Sequence, residues 1–291
     1  MQIFLLYLNH APKGVLNIIT GKGSKSGNDI LEHPGFAKLA FTGSTEVGRS
    51  VAEAAAEKLI PATLELGGNA AVLIDADTVI DEALIDRLIS AAYGHAGQVC
   101  ISVQRILVHA DLYVEVKKKL IAKLKKIKVD DPKLNTTLVG PMIKEAEAVR
   151  LKKWVDKAEK KGAKVLTGGH LQGVLFEPTL LENVDAKLEI YKDEAFGPVA
   201  ILEKFKEFEQ GINTINQSRI GLQAGVYTQK LNKMLYAWDH LHVGGVIIND
   251  VPTFRVDNMP YGGVKDSGLG REGIHSAIRD MQEERLLAIK Q

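Results

Sequence analysis

The chain has 291 residues, a single cysteine, a formal net charge of +1, and 45% hydrophobic against 25% charged residues. That balance belongs to a globular protein with room for one large or two modest domains. It excludes a disordered chain, a disulfide-stapled secreted domain and a chain drawn to nucleic acid by overall charge.

The opening residues, Met1 to Leu8, are apolar but lack basic residues and a small-residue cleavage site, so no signal peptide is read there. Residues 15–20 (VLNIIT) read as a strand closed by Gly21-Lys22-Gly23, and residues 26–34 as helical. Residues 38–41 (KLAF) form a second short strand, and the turn Thr42-Gly43-Ser44-Thr45 opens a helix to about residue 58. Strands are expected at 63–66 and 70–74, split by Gly67-Gly68, and a long helix over 79–95. Past Cys100 come a strand at 105–109 and a lysine-rich helix. Its Lys117, Lys118, Lys119 and Lys123 interleave with Leu120, Ile121 and Leu124 at helical spacing, which marks a solvated helix face rather than a nucleic-acid patch. An amphipathic helix at 143–161, strands at 164–166, 199–205 and 244–249, and a last strand at 285–289 complete the order. Strands alternating with helices predict an α/β protein with parallel sheets and helices packed outside. No apolar run is long enough to span a bilayer, and one thiol fits a reducing, cytoplasmic setting.

Five stretches carry chemistry. In Phe41-Thr42-Gly43-Ser44-Thr45-Glu46-Val47-Gly48 a strand runs through a small-residue turn into a helix. The free amides of a helix start and the bare backbone of Gly43 suit a phosphate; they also suit a helix that is merely well capped. Gly21-Lys22-Gly23, at the end of the preceding expected strand, raises the first reading towards a dinucleotide. In Leu64-Glu65-Leu66-Gly67-Gly68-Asn69, Glu65 stands among apolar residues at a strand end. It is either desolvated, with a raised pKa that suits a general base, or held by backbone donors. Cys100, in Gly97-Gln98-Val99-Cys100, is a nucleophile if exposed and served by a base, and otherwise a small buried hydrophobe. Glu194 and Phe196 precede the rigid Gly197-Pro198, where an acid could accept from ribose hydroxyls and a ring could lie on a flat ligand; a plain turn is the alternative. The glycine-dense run from Pro260 to Gly273 (PYGGVKDSGLGREG) has the backbone of a site wall.

In this order the five stretches resemble the aldehyde dehydrogenase superfamily, from about residue 10 to the C-terminus, and residues 249–255 (NDVPTFR) resemble its lactaldehyde-type branch. The resemblance implies an α/β fold of aldehyde-dehydrogenase type: a partial Rossmann-type cofactor domain at 1–67, a catalytic domain at 68–266, and a return at 267–291 ending in an oligomerisation strand. It implies a small-molecule aldehyde oxidised to an acid with NAD or NADP. Cys100 would be the nucleophile and Glu65 the activator of water. Gly23, Gly43 and Ser44 would bed the pyrophosphate, while Glu194 and Phe196 would hold the nicotinamide end. It implies a homo-oligomer or a complementing N-terminal chain as partner, and no nucleic acid, membrane or metal.

Family members begin earlier, with the first cofactor-domain strands, an Asn oxyanion donor and a Lys for the adenosine ribose. The expectation is therefore weak or no activity for this polypeptide alone, with Val15, Leu16, Ile18 and Ile19 laid bare. A non-catalytic fragment that pairs with a partner subunit is the competing reading, and a thiol-redox or acyl-transfer protein a third. Arg255 could grip an acidic aldehyde, though a structural arginine is the more common case.

Overall fold

The computed structural model describes residues 12–290; the apolar start read above as no signal peptide lies outside them. In chain order the elements are α1 (Asn28–Glu32), β1 (Leu39–Thr42), α2 (Thr45–Glu57), β2 (Ala62–Glu65), β3 (Ala70–Ile74), α3 (Glu82–Tyr93), β4 (Val103–His109), α4 (Tyr113–Leu124), α5 (Glu145–Lys160) and β5 (Lys164–Thr167). They continue with β6 (Leu171–Gln172), β7 (Leu175–Phe176), β8 (Thr179–Glu182), α6 (Glu189–Lys192), β9 (Val199–Phe205), α7 (Phe208–Asn216), β10 (Ile220–Gly221) and β11 (Gln223–Tyr227). The last are α8 (Leu231–His240), β12 (Gly245–Ile248), β13 (Val264–Lys265), β14 (Gly268–Leu269) and α9 (Ile274–Asp280).

The large sheet runs β12-β11-β3-β4-β9-β8-β5, parallel except where β5 meets β8. A parallel sheet is covered on both faces, so its central strands are apolar throughout; all five residues of β3 are buried. Period two still divides them. Val72 and Ile74 face the core made with α3, α4 and α5. Ala71 and Leu73 face the one made with α7 and α8. A smaller sheet, β1-β2-β14, has its own core of Leu39, Val51, Ala55, Leu64 and Leu66 under α2. An α/β fold of parallel strands with outer helices is thus the observed architecture.

Two expected strands are absent. Residues 15–20 have no regular structure, and Val15, Ile18 and Ile19 are 67%, 73% and 68% exposed. Residues 285–289 likewise form no strand, with Leu286, Leu287 and Ile289 exposed. Their composition suits a strand, but a strand exists through its ladder, and neither segment has a strand partner among the described residues. Conversely, β8 and β11 were not read in advance. β11 (QAGVY) opens with a buried Gln and holds a Gly, so neither periodicity nor composition marks it.

Arg105 sits in the middle of β4 with 1% of its surface exposed. It donates to Glu203 Oε1 at 2.8 Å and to the Tyr191 hydroxyl at 2.6 Å, and that hydroxyl donates to Glu203 Oε2 at 2.8 Å. The closed triangle ties β4, β9 and α6. Removing the cation leaves the carboxylate without its counterion in a low-dielectric setting. Arg105→Met is expected to lower stability by about 3–5 kcal/mol, read as the midpoint and slope of denaturant unfolding. A loss under about 1 kcal/mol would mean the pair behaves as a surface bridge.

Candidate active site

The site forms where the two sheets meet. β2 ends at Glu65, which β1 and β14 hold from both sides: Thr42 and Gly268 are its register partners. Gly43 N–H also donates to the Glu65 carbonyl at 3.0 Å. Next along the chain, buried Ser267 works as a clamp. Its Oγ donates to the Gly67 carbonyl at 2.8 Å and accepts from Gly221 N–H at 2.9 Å, while its carbonyl accepts from Leu66 N–H at 2.9 Å. The turn that follows Glu65 is thereby fixed to β10 and to the chain that enters β14.

Gly68 carries that turn against the thiol. A Cβ placed on it would lie 1.6 Å from the Cys100 carbonyl oxygen, so no residue but glycine fits. Cys100 stands at the N-terminal approach to β4, partly exposed, with Sγ 3.3 Å from the Tyr261 hydroxyl. Val99, Ile101, Leu222 and Tyr261 pack around it. Burial pushes the thiol pKa up, and the charges of Glu194 and Glu65 push the same way, against the Tyr261 hydrogen bond. The approach itself is unusual. The helix expected to residue 95 stops at Tyr93, and His95, Ala96 and Gly97 take successive left-handed conformations with φ of 52°, 55° and 65°. For the two non-glycine residues that costs about 1–2 kcal/mol each.

Glu65 is 5% exposed, and neither carboxylate oxygen has a hydrogen-bond partner among the described residues. Of the two alternatives open to it, the desolvated carboxylate is the one found. Burial, helped by the charge of Glu272, raises its pKa to about 7, against the opposing pull of Arg255 and Arg271. Its Oε1 lies beside Gly262, at 2.9 Å from where a Cβ would be. The segment Tyr261-Gly262 therefore touches both groups, the thiol through the tyrosine hydroxyl and the carboxylate through the glycine. The coordinates thus bring Cys100 and Glu65, 35 residues apart in the chain, to adjacent residues of one segment.

Glu194 joins them. Its Oε1 accepts from Gly68 N–H at 3.0 Å, and burial raises its pKa. Buried Gln104, on β4, fixes the loop that carries it: its amide donates to the carbonyls of Ile190 and Asp193 at 3.2 and 2.7 Å, and its oxygen accepts from Ala195 N–H at 2.9 Å. Phe196, with φ of 45°, leaves its ring 39% exposed. Ser44 caps α2, its Oγ accepting from Val47 N–H at 3.4 Å, and the adjoining Thr45 Oγ1 donates to the Asp266 carbonyl at 3.1 Å. Gly43 and Ser44 are thus tied to the site through Glu65 and Asp266. Gly23 is not: it lies in the exposed single turn Gly23–Gly27, with nothing near the place of a Cβ. Tyr261, Ser267 and Gln104 were not singled out in the sequence. Tyr261 and Ser267 lie inside the glycine-dense run and Gln104 just ahead of the strand at 105–109, but the importance of all three depends on partners far along the chain.

A sequence model of the aldehyde dehydrogenase family matches residues 2–287. A 3-sulfolactaldehyde dehydrogenase from Priestia aryabhattai is 40% identical over 279 residues, covering 96% of this chain and 58% of that protein. A lactaldehyde dehydrogenase from Methanococcus aeolicus is 40% identical over 282 residues, covering 96% and 59%. The crystal structure of the glyceraldehyde-3-phosphate dehydrogenase GapN from Methanocaldococcus jannaschii, complexed with NADP, superposes with a TM-score of 0.88 at 38% identity, covering 96% of this chain and 60% of that one. The chain therefore spans a little under three fifths of the length of the curated relatives it matches.

The unpartnered carboxylate gives a stability signature. A carboxyl group whose pKa is higher folded than unfolded binds its proton more tightly in the fold. Its contribution is complete below its unfolded value of 4.5 and is lost as pH rises through about 7. Glu65→Gln should match the wild type in thermal midpoint near pH 4.5 and exceed it at about pH 8, by about 2–3 kcal/mol. A difference that does not change with pH would mean Glu65 is solvated or partnered.

Proposed function

The chain belongs to the aldehyde dehydrogenase family, and we propose that it carries the reacting groups of an enzyme that oxidises a small aldehyde to a carboxylic acid with NAD or NADP. The observation that carries the reading is the meeting of Cys100 and an unpartnered, buried Glu65 on one segment, Tyr261-Gly262, with Glu194 on the adjoining turn. A nucleophile and a base near neutrality at one cleft suit acyl chemistry that proceeds through a covalent intermediate.

The Cys100 thiolate attacks the aldehyde carbon, and the carbonyl pair moves to oxygen, giving a thiohemiacetal. The Cys100 backbone N–H is the oxyanion donor that this chain supplies. A bound NAD or NADP would supply the hydride acceptor that the thiohemiacetal needs to become a thioester on Cys100. Glu65 then takes a proton from water; the resulting hydroxide adds to the thioester carbon, the C–S bond breaks, and the acid leaves. A pKa of about 7 leaves Glu65 ready to take that proton at neutral pH.

The residues present fit the cofactor in two respects. Glu194 has one oxygen on Gly68 and the other without a described bond, free for a hydroxyl. The Phe196 ring offers an open face. Gly43 and Ser44, at the start of α2, would bed the pyrophosphate, and Gly23 would reach it only if its exposed turn moved. Residues 1–67 would serve as part of the cofactor domain, 68–266 as the catalytic domain and 267–291 as the return, a division supported by the pairing of β14 with β2. Arg255 pairs with Glu272 at 3.1 Å and lies 4.0 Å over the Tyr261 ring, which supports a structural role over a substrate grip.

Titrating NAD and NADP against intrinsic fluorescence tests this. Trp154 lies under Arg150, which donates to the Ala195 carbonyl at 2.7 Å, beside Glu194. A saturable change is expected, weakened about tenfold or more in Glu194→Ala as a charge-assisted hydrogen bond is lost. Aldehyde-dependent cofactor reduction by the chain, where it occurs, should vanish in Cys100→Ala. Saturable binding of neither cofactor would remove the proposal.

One observation favours a second reading, action through a partner chain: apolar Val15, Ile18 and Ile19 near one end and Leu286, Leu287 and Ile289 near the other are exposed, and β1 is an edge strand among the described residues. Sedimentation over a range of concentrations should then show reversible association, which Ile18→Lys together with Leu287→Lys would abolish. A monomer at every concentration would count against it.

A further inference from the structure

Tyr261 packs against Cys100 without a part in the chemistry set out above. It is 4% exposed. The Arg255 guanidinium covers its ring, and its backbone is fixed by reciprocal bonds with Glu272, N–H to carbonyl at 3.0 Å and back at 2.6 Å. With ring and backbone held, the hydroxyl has one described partner, Cys100 Sγ at 3.3 Å.

We propose that the Tyr261 hydroxyl is a catalytic hydrogen-bond donor, supporting the Cys100 thiolate from which attack begins. The proposal rests on the reading of Cys100 as the nucleophile. The groups that face the thiol show why a donor is needed. Glu65, from the end of β2, and Glu194, from the loop before β9, both oppose a negative sulfur, as does the apolar lining of Val99, Ile101 and Leu222. Arg255 and Arg271 act on Glu65, and Arg255 and Glu272 are engaged with each other. Among the described contacts Tyr261 alone brings a side-chain proton to the sulfur. Burial, together with the charges of Cys100 and Glu65, holds its own phenol well above the ordinary range, so it keeps that proton when the thiol loses its proton to water. Phenylalanine at this place would preserve the packing and lose the donor.

The pH dependence of Cys100 alkylation by iodoacetamide tests this on the chain as it is, with neither cofactor nor turnover required. In that reaction the S–C bond forms as iodide leaves, at a rate that follows the thiolate. Wild type should label at Cys100 along a single titration. Tyr261→Phe should raise the apparent pKa by about one unit and slow labelling at neutral pH about tenfold, the loss of one charge-assisted hydrogen bond, with an unchanged thermal midpoint. A 3-fluorotyrosine at position 261, a stronger donor, should move the titration the other way, which keeps the test open if the phenylalanine variant folds poorly. Superimposable titrations for wild type and both variants would overturn the proposal and leave Cys100 as the nucleophile. A wild-type thiol that resists labelling at every pH, yet labels fully in denaturant, would overturn the nucleophile reading and this inference with it.

Discussion

A carboxyl group kept from water with no donor to meet it is the constraint on which the rest of this structure turns. Left alone, Glu65 would swing towards solvent or gather a lysine. It does neither because its backbone is held on both flanks, by Thr42 of β1 and Gly268 of β14, and because the next residues are locked by Ser267. The arginines that could quench it are occupied: Arg255 with Glu272, Arg271 with the carbonyls of Gly263 and Gly270. A free-energy cost at one side chain is thus sustained by hydrogen bonds at several others, the usual arrangement where a residue is held for chemistry rather than for stability.

The same hydrogen bonds join two sheets that could otherwise drift. β14 is two residues long, yet it is where the chain's end returns to the strand that bears Glu65. Ser267 spans from Gly67, in the turn between β2 and β3, to Gly221 of β10. Arg219 bridges Asp193 and Asp266, so the loop of Glu194 and the loop of Ser267 share one cation. Cys100, Glu65 and Glu194 are therefore set by a common frame, although they come from widely separated parts of the chain.

Much of this was legible in the sequence, and the exceptions have a pattern. The helices and the central strands announced themselves through apolar spacing, because that spacing is what packing requires. Cys100, Glu65, Glu194 and Phe196 could be read from local surroundings: a lone thiol before a strand, acids beside glycines. What stayed hidden was pairwise. Tyr261 looks like one more aromatic in a loop until its hydroxyl is seen beside the sulfur, and Gln104 like a polar residue on a strand until it is found holding the Glu194 loop. Residues 15–20 and 285–289 erred in the other direction: strand-like composition does not supply the neighbour that a strand needs.

The left-handed step at His95 and Ala96 has an implication for when the surroundings of Cys100 take shape. Two residues are parked in a conformation the free chain seldom visits, and the contacts that keep them there reach Gly197, a hundred residues downstream, whose carbonyl crowds Gly97. Until that late segment has been made and has docked, nothing compels the chain ahead of the cysteine to bend. The thiol of a nascent polypeptide should accordingly behave like any free cysteine, and its tuned environment should be among the last things acquired during maturation.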